Sequence, residues 1–194
     1  MNKVAKIVRI ITVAPICAFI LCTTLLIKDN SIYSNIFMYF TCILCLCIIP
    51  SISYIVERKF HLYNKFHPEL ELRFAERKLA IWFSTISYIV LALIVLLTNQ
   101  SNILKEMVLT YTFSGLFIFI FSIIIHIDPS GHICGFVGPV AFLSYSVSWL
   151  NLLFLPLIYF IVWSSLKLKR HTFLQLSLGG IIPIVSLLIA ILII

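Results

Sequence analysis

Residues 125–139 read IHIDPSGHICGFVGP and form a short polar interruption between two long apolar runs. An Asp-Pro pair is typical of a helix start, so we expect Asp128 to cap a helix with Pro129 at its first position. The amides of residues 130–132 would then have no intrahelical acceptors, and the helix dipole favours an anion near them. The same turn therefore predicts either an ordinary helix start at a membrane surface or a phosphate-binding turn.

The composition excludes a water-soluble globule. The chain is 62% hydrophobic and 11% charged, and its mean hydropathy is +1.14. Runs of about 18 or more apolar residues predict membrane-spanning helices. Seven segments qualify, at 8–27, 32–56, 79–98, 104–127, 132–149, 151–166 and 172–194. The sixth is short and is separated from the fifth only near Asn151, so we expect an all-α bundle of six or seven spans in a single domain, residues 1–194.

The N-terminus and the cysteines do not change this prediction. The start MNKVAKIVRIITVAPICAFIL resembles a signal peptide, but no small-residue cleavage site follows, so we interpret it as a retained first helix. All six cysteines fall in apolar stretches, which favours buried small hydrophobic side chains over metal ligands or disulfides. They are Cys17, Cys22, Cys42, Cys45, Cys47 and Cys134.

The net charge of +7 is explained by basic residues beside the membrane spans. We therefore do not expect nucleic acid as a partner. With seven spans, twelve of the fourteen basic residues fall on the side of the N-terminus, and only Lys28 and Lys105 fall on the other. The positive-inside rule then predicts a cytoplasmic N-terminus. The loop at 57–78, the DPSGH turn and the KLKRHT turn are expected on this same side, so they can converge on one site.

Two further segments carry candidate site residues. His171 and Gln175 are four apart and share a helical face, so a glutamine oxygen could accept from one imidazole nitrogen and leave the other as a nucleophile or base. Arg73 and Arg77 are one turn apart and suit contacts to phosphate oxygens. The alternatives are an interfacial histidine and a helix end whose arginines pair with nearby glutamates, namely Glu69, Glu71 and Glu76.

Taken together, these motifs resemble the type 2 phosphatidic acid phosphatase superfamily, and most closely a divergent membrane branch of it. The resemblance covers about residues 55–185. The P-S-G-H motif is matched outright by residues 129–132. The motif S-R-x5-H-x3-D aligns with Ser164, Ser165, His171 and Gln175, in that order. Serine therefore stands at position 165 where the motif has arginine, and glutamine stands where most members have aspartate.

The resemblance implies a membrane lipid phosphate phosphatase that works without a metal or other cofactor. His171 would attack phosphorus to give a phosphohistidine, His132 would act as acid and then base, and Gln175 would orient His171. The implied phosphate-binding residues are Arg73, Arg77, Ser130, Gly131 and Arg170. The implied substrates are phosphatidic acid, phosphatidylglycerophosphate or a polyprenyl diphosphate, and the expected location is the plasma (inner) membrane.

Two other functions remain open. A degenerate relative could bind lipid head groups without hydrolysing them, and the distinguishing feature is whether a neighbour supplies the charge missing at Ser165. An unrelated polytopic membrane protein, such as a transporter component, is the third possibility. The absence of a charged residue in the middle of any predicted span argues against a transporter.

Overall fold

The structure is a computed structural model that describes residues 2–69 and 71–194. Within these ranges every regular element is helical, as the composition predicts. The α-helices are α1 (Asn2–Ile11), α2 (Ala14–Lys28), α3 (Ile36–Ile43), α4 (Ile49–Phe60), α5 (Leu72–Leu97), α6 (Asn102–Phe119), α7 (Gly131–Ser146), α8 (Ile158–Lys167) and α9 (Phe173–Ile193). A π-helical turn, Leu44–Ile48, joins α3 to α4, a second, Ile120–Ile124, ends α6, and a 3-10 segment, Trp149–Leu157, leads into α8.

Five of the helical segments are long and apolar enough to cross a membrane. They are Ile36–Phe60, Leu72–Leu97, Asn102–Ile124, Trp149–Lys167 and Phe173–Ile193, and the bent pair α1–α2 would make a sixth. The predicted helix at 132–149 forms as α7, but its 16 residues extend about 24 Å, less than the roughly 30 Å of a bilayer core. The chain is therefore a helical membrane protein, and six or seven spans stays a prediction.

The first apolar segment, 8–27, is not the single straight helix expected from its composition. It breaks at Thr12 and Val13, and α1 and α2 meet at an angle of 42°. Pro15 is near the start of α2, where its ring and missing N–H prevent a regular turn from continuing across the junction. The break leaves α1 free to take its own direction, and it packs on α8.

Within the described residues, the helical passes alternate between two ends of the bundle. At one end, Ser101 Oγ donates to the Ile32 carbonyl at 2.7 Å and Gln100 Nε2 donates to Ser34 Oγ at 2.8 Å, joining two connections. The opposite end gathers α1, the 57–78 region, the DPSGH turn and the turn after α8 around one cavity. The polar segments predicted to converge therefore do lie around one cavity.

Two glycines let the helices around this cavity approach closely. A Cβ on Gly135 would lie 2.3 Å from the Ala14 Cβ, so α7 and the start of α2 are nearly in backbone contact. A Cβ on Gly179 would lie 2.6 Å from the Ser130 carbonyl oxygen, so α9 lies directly against the DPSGH turn. These two contacts position the start of α7 between α2 and α9.

Candidate functional site

A cavity of about 300 Å³ opens where the polar segments meet. It is lined by six of the residues predicted from the motifs: Arg73, Arg77, Gly131, His132, Arg170 and His171. The two other predicted residues lie immediately behind this wall. Gln175 is bonded to His171, and Ser130 is fully buried at the start of α7.

His171 is held in one tautomer by Gln175. The Gln175 Oε1 accepts from the Thr172 amide at 3.1 Å and contacts His171 Nδ1 at 3.2 Å. Because the Thr172 amide can only donate, this atom is an acceptor, so His171 Nδ1 carries the proton. The Nε2 atom of His171 is then left with a free lone pair.

The surroundings also keep His171 neutral. Burial, followed by the positive charge of Arg77, lowers the pKa of His171 to about 4, although the hydrogen bond to Gln175 works in the opposite direction. At neutral pH the ring is therefore uncharged. An uncharged imidazole with a free Nε2 is the form that can attack phosphorus.

His132 is held in the opposite arrangement by an arginine that the sequence analysis did not assign to the site. Arg9 Nη2 lies 3.3 Å from His132 Nδ1. A guanidinium can only donate, so Nδ1 of His132 is the acceptor and its ring proton is on Nε2. One histidine of the cavity thus has Nε2 free, and the other has Nε2 protonated.

Arg9 also contacts the position where the resemblance lacks an arginine. Its Nη1 donates to the Ser165 hydroxyl at 3.0 Å, and Ser165 is fully buried on α8. From the sequence alone, Arg9 counts only among the basic residues that orient the chain in the membrane. The available signal was its position at the start of the apolar segment 8–27, since an ionisable residue within a membrane span often marks a functional site.

The DPSGH turn differs in detail from its prediction. The N-cap of α7 is Ser130, whose hydroxyl accepts from the Ile133 amide at 3.5 Å, and the helix begins at Gly131 rather than at Pro129. Asp128 is not the cap because its carboxylate accepts from Lys78 Nζ at 3.0 Å. The predicted contribution of the Ser130 hydroxyl to phosphate binding is therefore not supported by its placement.

The same ion pair keeps Asp128 away from the first-turn amides of α7. Burial raises the pKa of Asp128, but Arg77 and Lys78 outweigh it and leave the pKa below its ordinary value. Arg77 Nη2 also donates to the Pro129 carbonyl at 2.6 Å, so α5 holds the turn in place. The ionised carboxylate of Asp128 is thus paired with Lys78 beside the cavity, and it does not occupy the first-turn amides of α7.

A backbone hydrogen bond joins the elements that carry the two histidines. The Ser130 amide donates to the Gln175 carbonyl at 2.8 Å, next to the close contact at Gly179. His132 follows Ser130 by two residues, and Gln175 holds His171. This main-chain contact therefore ties together the start of α7 and the start of α9, which carry the two imidazoles.

The cavity carries a surplus of positive charge. Four guanidinium groups line it, from Arg9, Arg73, Arg77 and Arg170. Among the described residues, the glutamates expected as partners form no ion pair with Arg73 or Arg77: Glu76 lines the cavity but binds Arg58, and Glu69 contacts His67. The ion pair of Arg77 with Asp128 is long, at 3.9 Å. An anion with two negative charges would fit this environment.

The inner part of the cavity is apolar and reaches between the helices. Its wall there includes Tyr88, Tyr111, Gly115, Ile118 and Pro139. A ligand with a charged group among the arginines and a hydrocarbon portion beneath it would match both parts. Among residues 2–69 and 71–194, no group of three His, Cys, Asp or Glu side chains could hold a metal ion.

The site thus has two imidazoles with opposite Nε2 protonation, four arginines, and an apolar inner wall. His126, the other histidine near the DPSGH turn, is exposed and does not line the cavity. Comparisons with protein-family models, with curated proteins and with solved structures find no match to this chain.

Proposed function

We propose that this protein is a membrane phosphatase that hydrolyses a phosphomonoester or diphosphate of a lipid through a phosphohistidine intermediate. The observation that carries the proposal is the pair of imidazoles in one cation-lined cavity. One has a free Nε2, as a nucleophile needs, and the other has a protonated Nε2, as a donor to a leaving oxygen needs.

In the first step, His171 Nε2 attacks phosphorus and the bond from phosphorus to the lipid oxygen breaks. The dianion bound among the arginines favours a second proton on His132, and charged His132 transfers its Nε2 proton to the leaving oxygen. Arg73, Arg77 and Arg170 stabilise the charge on the phosphoryl oxygens. The lipid alcohol, or lipid phosphate, then leaves.

In the second step, His132 Nε2 removes a proton from water and the oxygen of that water attacks phosphorus. The bond between phosphorus and His171 Nε2 breaks, which releases inorganic phosphate and restores the neutral His171. Hydrogen bonding to Gln175 keeps the His171 Nδ1 proton in place throughout. In this scheme His132 is the proton donor of the first step and the proton acceptor of the second.

The lipid class of the substrate is supported by the shape of the cavity. The charged groups lie at the end of the bundle, while the inner wall is apolar and continues between membrane-spanning helices. Phosphatidic acid, phosphatidylglycerophosphate and polyprenyl diphosphates all present a phosphate head group on an apolar body. These three classes are the substrates to test.

The test is phosphate release by the purified protein in detergent, with a chelator present and no metal added. We expect release from at least one of the three lipids, and loss of release to background in His171→Asn because asparagine has no ring nitrogen to attack phosphorus. His126→Asn is the matched control, since His126 is exposed and lies outside the cavity lining. Its activity should equal that of the wild type.

Two results would count against the proposal. Full activity in His171→Asn would remove His171 from the reaction. Tight binding of a lipid phosphate with no release by the wild type would favour the degenerate relative that binds head groups without hydrolysing them.

A further inference from the structure

The position of Arg9 is determined by how helices α1 and α2 pack on their neighbours. Helix α1 packs on α8, and the start of α2 lies against α7 at the Gly135–Ala14 contact. On α1, Val4 and Ile7 are 56% and 54% exposed, whereas Arg9 points the other way, toward Ser165 and His132. The N-terminal helix therefore completes a wall of the cavity.

The contact between Arg9 and His132 conflicts with the proposed roles of His132. A donor at Nδ1 requires a lone pair there, as in the neutral ring with its proton on Nε2. A charged His132 has protons on both nitrogens. After it gives up the Nε2 proton, the ring keeps the proton on Nδ1. Both the acid form and the base form of His132 therefore exclude the hydrogen bond from Arg9.

We infer that Arg9 changes partner when substrate binds, leaving His132 Nδ1 and donating to the phosphoryl oxygens instead. This inference rests on the proposed phosphatase function. Its hydrogen bond to Ser165 already brings the Arg9 guanidinium to the position at which the resembling motif has an arginine. Arg9 thus supplies the charge that Ser165 cannot, and its departure frees Nδ1 to take a proton from solvent.

The charges around His132 favour this exchange only when an anion is present. The titratable and charged groups that share the cavity with it are Arg9, Tyr54, Arg73, Glu76, Arg77, Tyr88, Tyr111, Cys134, Arg170 and His171. Without a bound anion, a proton on His132 would add one more positive charge to four guanidinium groups. A phosphate dianion among them reverses that repulsion. Substrate binding and protonation of His132 are thereby coupled through the Arg9 side chain.

The first experiment observes His132 directly in the full-length protein at pH 7. Nitrogen-15 spectra of labelled histidine are recorded while inorganic phosphate is added. We expect a neutral His132 protonated on Nε2 without phosphate, and a ring protonated on both nitrogens at saturation. A ring whose protonation state is the same with and without phosphate would overturn the inference.

The second measurement is the affinity for inorganic phosphate, which does not depend on turnover. Arg9→Met should weaken it by about 10- to 100-fold, the ratio expected for one charge-assisted hydrogen bond. Lys3→Met is the matched control because Lys3 is an exposed cation on the same helix. Equal affinities in the wild type and in Arg9→Met would contradict the inference, even if the protein has no phosphatase activity.

The third measurement uses position 165 and lipid phosphate hydrolysis. Ser165→Arg alone should reduce kcat, since two guanidinium groups then compete for one buried place. Arg9→Met alone should also reduce it, while the double variant should recover activity, with the charge now supplied from α8. A double variant with no more activity than the less active single variant would contradict the exchange. Arg9→Lys keeps a cation on α1 and should therefore retain more activity than Arg9→Met.

These measurements separate the two proposals. A wild type that releases no phosphate from any lipid refutes the phosphatase function, while the phosphate titrations still decide the role of Arg9. An active wild type whose kcat and phosphate affinity are unchanged in Arg9→Met refutes the inference alone.

Discussion

His171 illustrates how a cluster of arginines at one end of a helical bundle can keep an imidazole neutral. In water an imidazole has a pKa near 6.5 and would be partly charged under mildly acidic conditions. Here burial and the neighbouring Arg77 disfavour the charged form, and Gln175 selects which nitrogen carries the single proton. The result is a ring that remains neutral and presents the same nitrogen to the cavity.

This environment predicts an unusual titration of His171. With a pKa lowered to about 4, the ring should stay neutral as the pH falls through 6.5 and take its second proton only near pH 4. The measurement is the ring carbon and nitrogen shifts of His171 in the substrate-free protein, assigned by comparison with His171→Asn. A midpoint at or above 6.5 would mean that the ring is solvated and separate from the arginines.

At the level of single residues, the sequence predicted the local pairs better than the distant ones. The His171–Gln175 contact was predicted from a spacing of four residues, but not for the right reason: His171 precedes the N-cap Thr172 of α9, and the Gln175 side chain reaches it by folding back over the helix start. The contact of Arg9 with His132 joins residues 123 positions apart. It depends on the bend between α1 and α2 and on the Gly135–Ala14 approach, which no local pattern encodes. The exact cap of α7 was missed for a similar reason, because Lys78 binds Asp128 from another helix.

At the level of elements, the start of α7 is held by α9 through main-chain atoms. The Ser130 amide donates to the Gln175 carbonyl, and Gly179 lies so close that there is no room for a side chain. Sequence periodicity predicted both helices and their order along the chain. It could not predict that these two would meet backbone to backbone, since two adjacent glycines at 179 and 180 look equivalent in the sequence.

The two glycines therefore form a matched pair for testing this contact. A Cβ at Gly179 would lie 2.6 Å from the Ser130 carbonyl oxygen, whereas at Gly180 the nearest atom would be a side-chain carbon of Ile133 at 3.7 Å. Gly179→Ala should destabilise the protein by about 1–3 kcal/mol, as overpacking does, and should lower phosphatase activity by displacing His132 from His171. Gly180→Ala should be neutral or slightly stabilising, because alanine is the better helix former.

Thermal unfolding in detergent and phosphate release measure these two effects. Equal midpoints and equal activities for Gly179→Ala and Gly180→Ala would show that α9 does not lie directly against the DPSGH turn.

For the whole molecule, the helical class is the feature best predicted from the sequence. The helical class and most spans follow from hydropathy, and the convergence of three polar segments follows from the alternation of spans. The number of spans was harder to predict because α7, with 16 residues, is short for a bilayer and α1 is bent away from α2 by 42°. The positions of α1 and α7 depend on how they pack in the bundle and cannot be predicted from their length.

The orientation predicted by the positive-inside rule can be tested with the cysteines of the chain. All six native cysteines are buried, so a membrane-impermeant maleimide should react little with the unmodified protein. Lys65→Cys and Lys28→Cys each place a thiol at an exposed position, the first in the 57–78 region and the second at the end of α2. Because most basic residues lie with the 57–78 region, that end should face the cytoplasm. Intact cells should therefore show labelling of Lys28→Cys, and Lys65→Cys should react only after permeabilisation. The opposite pattern would place the arginine-lined cavity on the outer face, where its substrates would have to come from the outer leaflet.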